Sequence, residues 1–205
     1  MQGIDFIFSI AILIMSVVAH EVAHGYAAYM LGDKTAQYAG RLTLNPIKHL
    51  DPVGSFLVPL ISYTFGGLIF GWAKPVPYNP YNLPPKRWAE AFVASAGIFA
   101  NLIIALVFGL ILRFGIGVFL PETFVQLTVT LVAINLILAV FNAVPIPPLD
   151  GSKILFSVLP PFHKIRIFLE QYGLIMVLFF IFFLWRFIIP IVGFLFALIT
   201  GITIF

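Results

Sequence analysis

The sequence predicts an all-α polytopic membrane protein with about five to six transmembrane or re-entrant segments, and three observations predict it. Of its 205 residues, 61% are hydrophobic and only 9% charged, against roughly 25% charged in a soluble domain. The apolar residues gather in runs of roughly twenty, the length of helix that crosses a hydrocarbon core. All the Lys and Arg residues but Arg186 fall between the runs, a pattern that suits positive-inside topology and gives no case for nucleic-acid binding.

The first run, Phe6 to Leu31, is a helix; Met1 to Asp5 has no Lys or Arg, so it lacks the basic flank of a cleaved signal peptide and is expected to be retained. The polar stretch Gly32 to Pro52 follows, in which Arg41 to Leu44 alternates as a strand does before Asn45-Pro46 breaks it. The second run, Val53 to Trp72, is interrupted by Pro59, Gly66, Gly67 and Gly71. After it, Pro75, Pro77, Pro80, Pro84 and Pro85 exclude a continuous helix. Lys34, Arg41 and Lys48 precede the second run and Lys74, Lys86 and Arg87 follow it, so both flanks want the cytoplasm. Val53 to Trp72 is therefore expected to dip in and return, the alternative being a plain crossing that violates the charge rule.

Ala91 to Leu112 then runs outward and Phe124 to Val144 returns, placing Lys153, Lys164 and Arg166 again in the cytoplasm. Leu174 to Phe205, about 48 Å as helix, is too long for one straight crossing and contains Arg186 and Pro190. It reads as one span plus an interfacial piece, or as a tight pair. Residues 1–205 are read as a single domain, with a core of about 5–155 and C-terminal membrane segments over 173–205.

The chemistry-bearing feature is His20-Glu21-x-x-His24 near the end of the first run. Three such side chains in lipid are costly unless partners or a metal satisfy them. On a helix the two histidines stack on one face and can reach one zinc, with Glu21 adjacent to take a proton from a water, which is hydrolase geometry. Zinc needs a further protein ligand and an open position. The chain has no cysteine, so that ligand is His49, His163 or a carboxylate. Asp150 has the most structured setting: Pro145, Pro147 and Pro148 end the fourth run and Asp150-Gly151 then turns, delivering a carboxylate at a helix end. Depth agrees, since His20 lies about 23 Å along a helix begun outside near Asp5, on the side where Asp150 ends its own.

HEVAHG, GRLTLNP with HLDPVGS, GWAKPVPYNP, SAGIFAN and FNAVPIPPLDG, in that order from Val17 to about Leu155, resemble the site-2 protease family of intramembrane zinc metalloproteases, in its short form without a PDZ domain. The resemblance implies proteolysis of transmembrane segments in the lipid bilayer of a prokaryotic cytoplasmic membrane, with the site near the cytoplasmic face. It implies one Zn2+ per chain on His20, His24 and Asp150, with Glu21 as general base and Asn142 contacting substrate or the oxyanion. It also likens Gly66 to Pro77 to a membrane-associated β-hairpin or loop that presents an edge to an unwound substrate. The chain departs from the family pattern with Ile98 after Ala96-Gly97 and Ser152 after Asp150-Gly151, neither of which removes a ligand or the base. The expected partners are transmembrane-helix substrates, with self-association left open.

A rival reading from another class is a transporter in which His20, Glu21, His24 and Asp150 line a cation path. The His-Glu-x-x-His spacing and the lack of inverted repeats count against it. A helix-binding protein that does not cleave would have no need of Glu21. Elsewhere, His49 and Asp51 read as polar loop residues with an optional supporting role, and Asn101 as a buried amide tying helices together. Arg113, Trp72, Trp88 and Trp185 read as interface anchors, and Arg186 as a snorkelling side chain.

Overall fold

The computed structural model describes residues 2–51, 53–57, 74–85, 87–115 and 120–203. Helix α1 spans Gln2–Met30 and ends where Gly32 takes φ 105°, a left-handed conformation that glycine adopts without steric cost. The Gly32 N–H then bonds Tyr29 O at 3.0 Å and the Asp33 N–H bonds Ala28 O at 3.0 Å, satisfying carbonyls that the helix end leaves open. A short helix α2, Thr35–Tyr38, follows. The long helices α3, Arg87–Gly115, and α4, Glu122–Asn142, come next, and then a short α5, Asp150–Val158. Helix α6, Lys164–Phe179, continues through a π-helical turn, Phe180–Leu184, into α7, Trp185–Thr200. Ile7–Met30, Arg87–Gly115, Glu122–Asn142 and Lys164–Phe183 are each long and apolar enough to cross a membrane, and the chain is a polytopic α-helical membrane protein.

Helix α3 is the hub, packed against α1, α4, α5 and α7. Its buried row Ala89, Val93, Gly97, Asn101, Ala105 and Gly109 recurs every four residues. At 3.6 residues per turn such a row drifts by about 40° per step, so it winds around the helix. Val93, Gly97 and Asn101 accordingly face α1, whereas Gly109 meets Ile199 of α7. Apolar packing between α3, α4 and α7 centres on Leu112, Leu136, Val192 and Phe196, all buried.

These contacts set the helix directions. Asn101 and Val93 pair with progressively later residues of α1, so α3 runs antiparallel to α1. Phe141 near the end of α4 touches Trp185 at the start of α7, and Arg113 near the end of α3 bonds Leu198 O near the end of α7. One end of the bundle therefore gathers the C-termini of α1 and α4 and the N-termini of α3 and α5. Lys34, Arg41, Lys48, Lys74, Arg87 and Lys153 are at that end, and Arg113 is at the other.

Several expectations change here. Arg41 to Leu44 is irregular, and the described residues contain no strand. Side chains there take the place of a ladder: His49 Nε2 donates to Thr43 O at 2.8 Å, and Thr43 Oγ1 accepts from Asn45 N at 3.2 Å. The last run does not double back, because the backbone is helical from Lys164 to Thr200. Asp150 opens α5 and is not in a turn; its carboxylate suits the positive end of the helix dipole. Arg113, read as an interface anchor, also bonds Leu198 O near the end of α7.

Residues 58–73, and with them most of the expected dip and hairpin, lie outside the described residues. Their flanks are described, and Lys74 N donates to His49 O at 2.8 Å. Lys74 therefore stands beside His49, at the same end of the bundle as Lys48. Cysteines replacing Lys48, Lys74 and Arg87 should thus label from one face of the membrane, the cytoplasmic one by the charge rule, and a cysteine at Gln2 from the opposite face. Labelling of positions 48 and 74 from opposite faces would contradict this path.

Candidate metal centre

Ser16, His20, His24 and Ala28 form a row at four-residue spacing along α1, and all four are buried. Polar groups at three of these positions face α3 and α4 and need partners there. His20 Nδ1 lies 2.6 Å from Asn101 Oδ1, and His24 Nδ1 lies 2.7 Å from Val93 O. Both partners are acceptors, so each imidazole carries a proton on Nδ1 and, in its neutral form, presents a bare Nε2.

The two Nε2 atoms are 3.0 Å apart, and Asp150 Oδ2 lies 3.0 Å from that of His20 and 3.1 Å from that of His24. Three potential ligand atoms thus converge, an arrangement that repels itself unless a proton or a metal cation is shared among them. Donors about 2.0–2.1 Å from a tetrahedral zinc would stand about 3.3 Å apart, close to this spacing. The donor set therefore fits a divalent metal, with neutral imidazoles and a carboxylate as its charge-matched ligands. Among the described residues this is the only group of three or more His, Asp or Glu side chains with such convergence.

Space for the rings comes from Gly97, where an added Cβ would stand 2.6 Å from atoms of both imidazoles. Orientation comes from a buried chain of amides. Asn101 Nδ2 donates to Asn135 Oδ1 at 2.8 Å and to Ser16 O at 3.3 Å, while Asn135 Nδ2 donates to Ser16 Oγ at 2.9 Å. With its nitrogen thus engaged, Asn101 turns its oxygen to His20. Lys153 Nζ sits 3.9 Å from Asp150 Oδ1, the carboxylate oxygen away from the imidazoles.

Glu21 is half-buried, and its Oε2 accepts from the Val76 N–H at 2.9 Å. Asn142 stands on the last turn of α4 and donates Nδ2 to Leu138 O at 3.0 Å; it is outside the converging trio. The alternative ligands are engaged elsewhere. His49 anchors Thr43, and His163 Nδ1 accepts from Ile165 N at the start of α6. Asp51 Oδ1 accepts from the N–H groups of Val53 and Gly54.

Four residues escaped sequence reasoning. Ser16 carried a signal, four residues before His20 on the same face, and Asn135 carried another as a lone amide within the fourth apolar run. Val76 contributes only a backbone N–H, which no side-chain pattern announces. Asp33 is buried beyond the glycine that ends α1, accepting from Thr35 N, Thr35 Oγ1, Asn79 N and Asn82 Nδ2 at 2.6 to 3.1 Å. Burial alone would raise its pKa, but these bonds prevail and hold the carboxyl below the ordinary range. The stabilisation they supply is thus present above the ordinary aspartate pKa and is lost only as pH falls through the lowered folded value.

Comparison with known proteins adds an independent line. The model of peptidase family M50 matches residues 8–132 and 118–185. A Bacillus subtilis protein named "Putative zinc metalloprotease YwhC" is 40% identical over 173 residues, 81% of this chain and 76% of the relative. Proteins named "Putative zinc metalloprotease Rip2" are 34% identical in Mycolicibacterium smegmatis and 29% in Mycobacterium tuberculosis. These matches cover 71% and 76% of this chain but only 55% and 59% of the relatives, so the chain spans a little over half of their length. No solved structure matches the chain. The family match runs through the helices that carry His20, Glu21, His24 and Asp150, and the chain belongs to peptidase family M50, the site-2 protease family.

Proposed function

We propose that this chain is a zinc-dependent intramembrane endopeptidase that hydrolyses peptide bonds within or next to transmembrane segments of other proteins. The observation that carries the reading is the convergence of two imidazole nitrogens and one carboxylate oxygen within 3.1 Å inside an apolar bundle. His20, His24 and Asp150 hold one zinc per chain. When bound, the metal supplies Lewis-acid polarisation of a carbonyl and a lowered pKa for water.

The protein's own residues supply the rest. Glu21 accepts a proton from the attacking water on Oε1, since Oε2 is held by Val76, and delivers it to the amide nitrogen as the C–N bond breaks. Asn142 has a second amide hydrogen beyond the one given to Leu138, and this donor serves the oxyanion or the substrate backbone. A helical substrate hides its carbonyls in hydrogen bonds four residues apart, so it must unwind near the site, which favours helix-weakening sequences. The basic end of the bundle faces the cytoplasm of a prokaryotic cell, putting the site near that surface.

The test is zinc content together with cleavage of a model transmembrane substrate by the purified protein in detergent. Glu21→Gln should keep zinc near the wild-type level and lose at least about a hundredfold in turnover, because an amide does not accept the proton. Full activity in this variant would end the mechanism.

Asp150→Ala should lose both zinc and cleavage, whereas Asp51→Ala and Glu170→Ala, which alter a turn and an exposed pair with Arg166, should keep both. Stoichiometric zinc in Asp150→Ala would refute the ligand set. Asn101→Leu removes the acceptor that fixes the His20 tautomer and should weaken zinc binding by about 10–100-fold.

A further inference from the structure

The Pro-rich segment after residue 73 does more than connect two helices. In Pro75-Val76-Pro77 the two prolines have no N–H, so Val76 has the one backbone donor of the tripeptide. That donor is spent on Glu21 Oε2 at 2.9 Å. The neighbouring backbone groups are committed as well. Lys74 N donates to His49 O, while the carbonyls of Lys74 and Pro75 accept from Arg41 Nη2 at 3.2 and 3.4 Å. Lys74 to Val76 therefore offers a substrate little free edge, unlike the hairpin that the family resemblance implies for Gly66 to Pro77.

The strap is also locked in position. Val76 is buried, and Gly25, one turn beyond Glu21 on α1, makes room for it: a Cβ there would stand 2.7 Å from Val76 Cγ1. At its far end Asn79 and Asn82 are tied to Asp33 by bonds of 2.7 and 2.8 Å. Between these anchors Lys153, which is 3.9 Å from Asp150, lies 5.2 Å from the centre of the Tyr78 ring. The strap thus touches α1 at Glu21 and Gly25, is tied to Asp33 just beyond the end of that helix, and also reaches α5.

We infer that the strap Lys74 to Asn82 is a brace for Glu21: its Val76 N–H fixes one carboxylate oxygen, and Asp33 holds the strap so that the other oxygen is aimed for proton transfer. Val76 and Asp33 are positioning residues in this account, which rests on Glu21 being the general base. A carboxylate freed from the brace would sample other rotamers, and misplacing a reacting group by about 1 Å costs up to about a hundredfold in rate.

The decisive comparison is Val76→Pro with Val76→Ala. Both lose side-chain packing against Gly25, but only proline removes the N–H, and the flanking prolines already favour the extended backbone that it requires. We expect equal zinc content in the two, KM within about twofold, and kcat at least about tenfold lower in Val76→Pro. Equal kcat at equal zinc would overturn the brace. Glu21→Gln in the same assay separates this outcome from failure of the protease reading, because an active Glu21→Gln protein would remove the general base itself.

Asp33→Ala gives a second test that leaves the N–H chemically intact. It should lower kcat with zinc retained, and should shift the Glu21 carboxylate band in the infrared spectrum of protein with 13C-labelled glutamate, the band being identified by its loss in Glu21→Gln. An unshifted band in Asp33→Ala would overturn the brace even if Val76→Pro failed to fold.

Discussion

Two imidazole nitrogens and a carboxylate oxygen held within 3.1 Å of one another, in a bundle built largely of Leu, Ile, Val and Phe, are the constraint around which this structure is organised. In their unprotonated forms they would repel one another and seek water. Each is instead oriented from behind: His20 by Asn101, His24 by Val93 O, and Asp150 by its place at the head of α5 with Lys153 near its outer oxygen. The arrangement is costly to assemble in an apolar medium and is tolerable only because nearly every supporting polar atom has a partner.

Helix α3 carries most of that support through a single periodicity. Val93 supplies a carbonyl, Gly97 a vacancy and Asn101 an amide, each one four-residue step from the last. Because the row winds around the helix, its later members pack elsewhere, and Ala105, Gly109 and Leu112 seat α3 among the helices that include α7. One face thus closes the site and the adjoining face closes the bundle, so packing and ligand geometry are set by the same backbone.

The strap shows a second way of placing charge at a membrane surface. Irregular backbone near lipid must satisfy its own polar groups, and here Lys74 to Val76 does so through Arg41, His49 and Glu21. The prolines lower the number of N–H groups that need partners; at the far end Asp33 takes the Asn79 N–H, and Asn79 in turn takes those of Tyr81 and Asn82. Its buried carboxylate with four donors works as a clip between the end of α1 and the 79–82 turn.

By itself, the sequence determined the membrane class, the helical runs and the His-Glu-x-x-His row, because these follow from composition and from periodicities shorter than two turns. Asp150 was legible as the favoured partner of His20 and His24 from its proline-rich setting, its depth and the family resemblance, but the contact itself was not, since 130 residues separate it from His20. The tertiary structure supplied that contact by placing the head of α5 against α1, with His49 and His163 bonded elsewhere. It also replaced a predicted strand at Arg41 to Leu44 with side-chain bonds and set Lys74 beside His49. The roles of Val76 and Asp33 were the least legible: one acts through a backbone N–H that every residue but proline has, and the other through partners 46 and 49 residues away. Local pattern announces which groups need satisfying; only the packed chain says which partner each one meets.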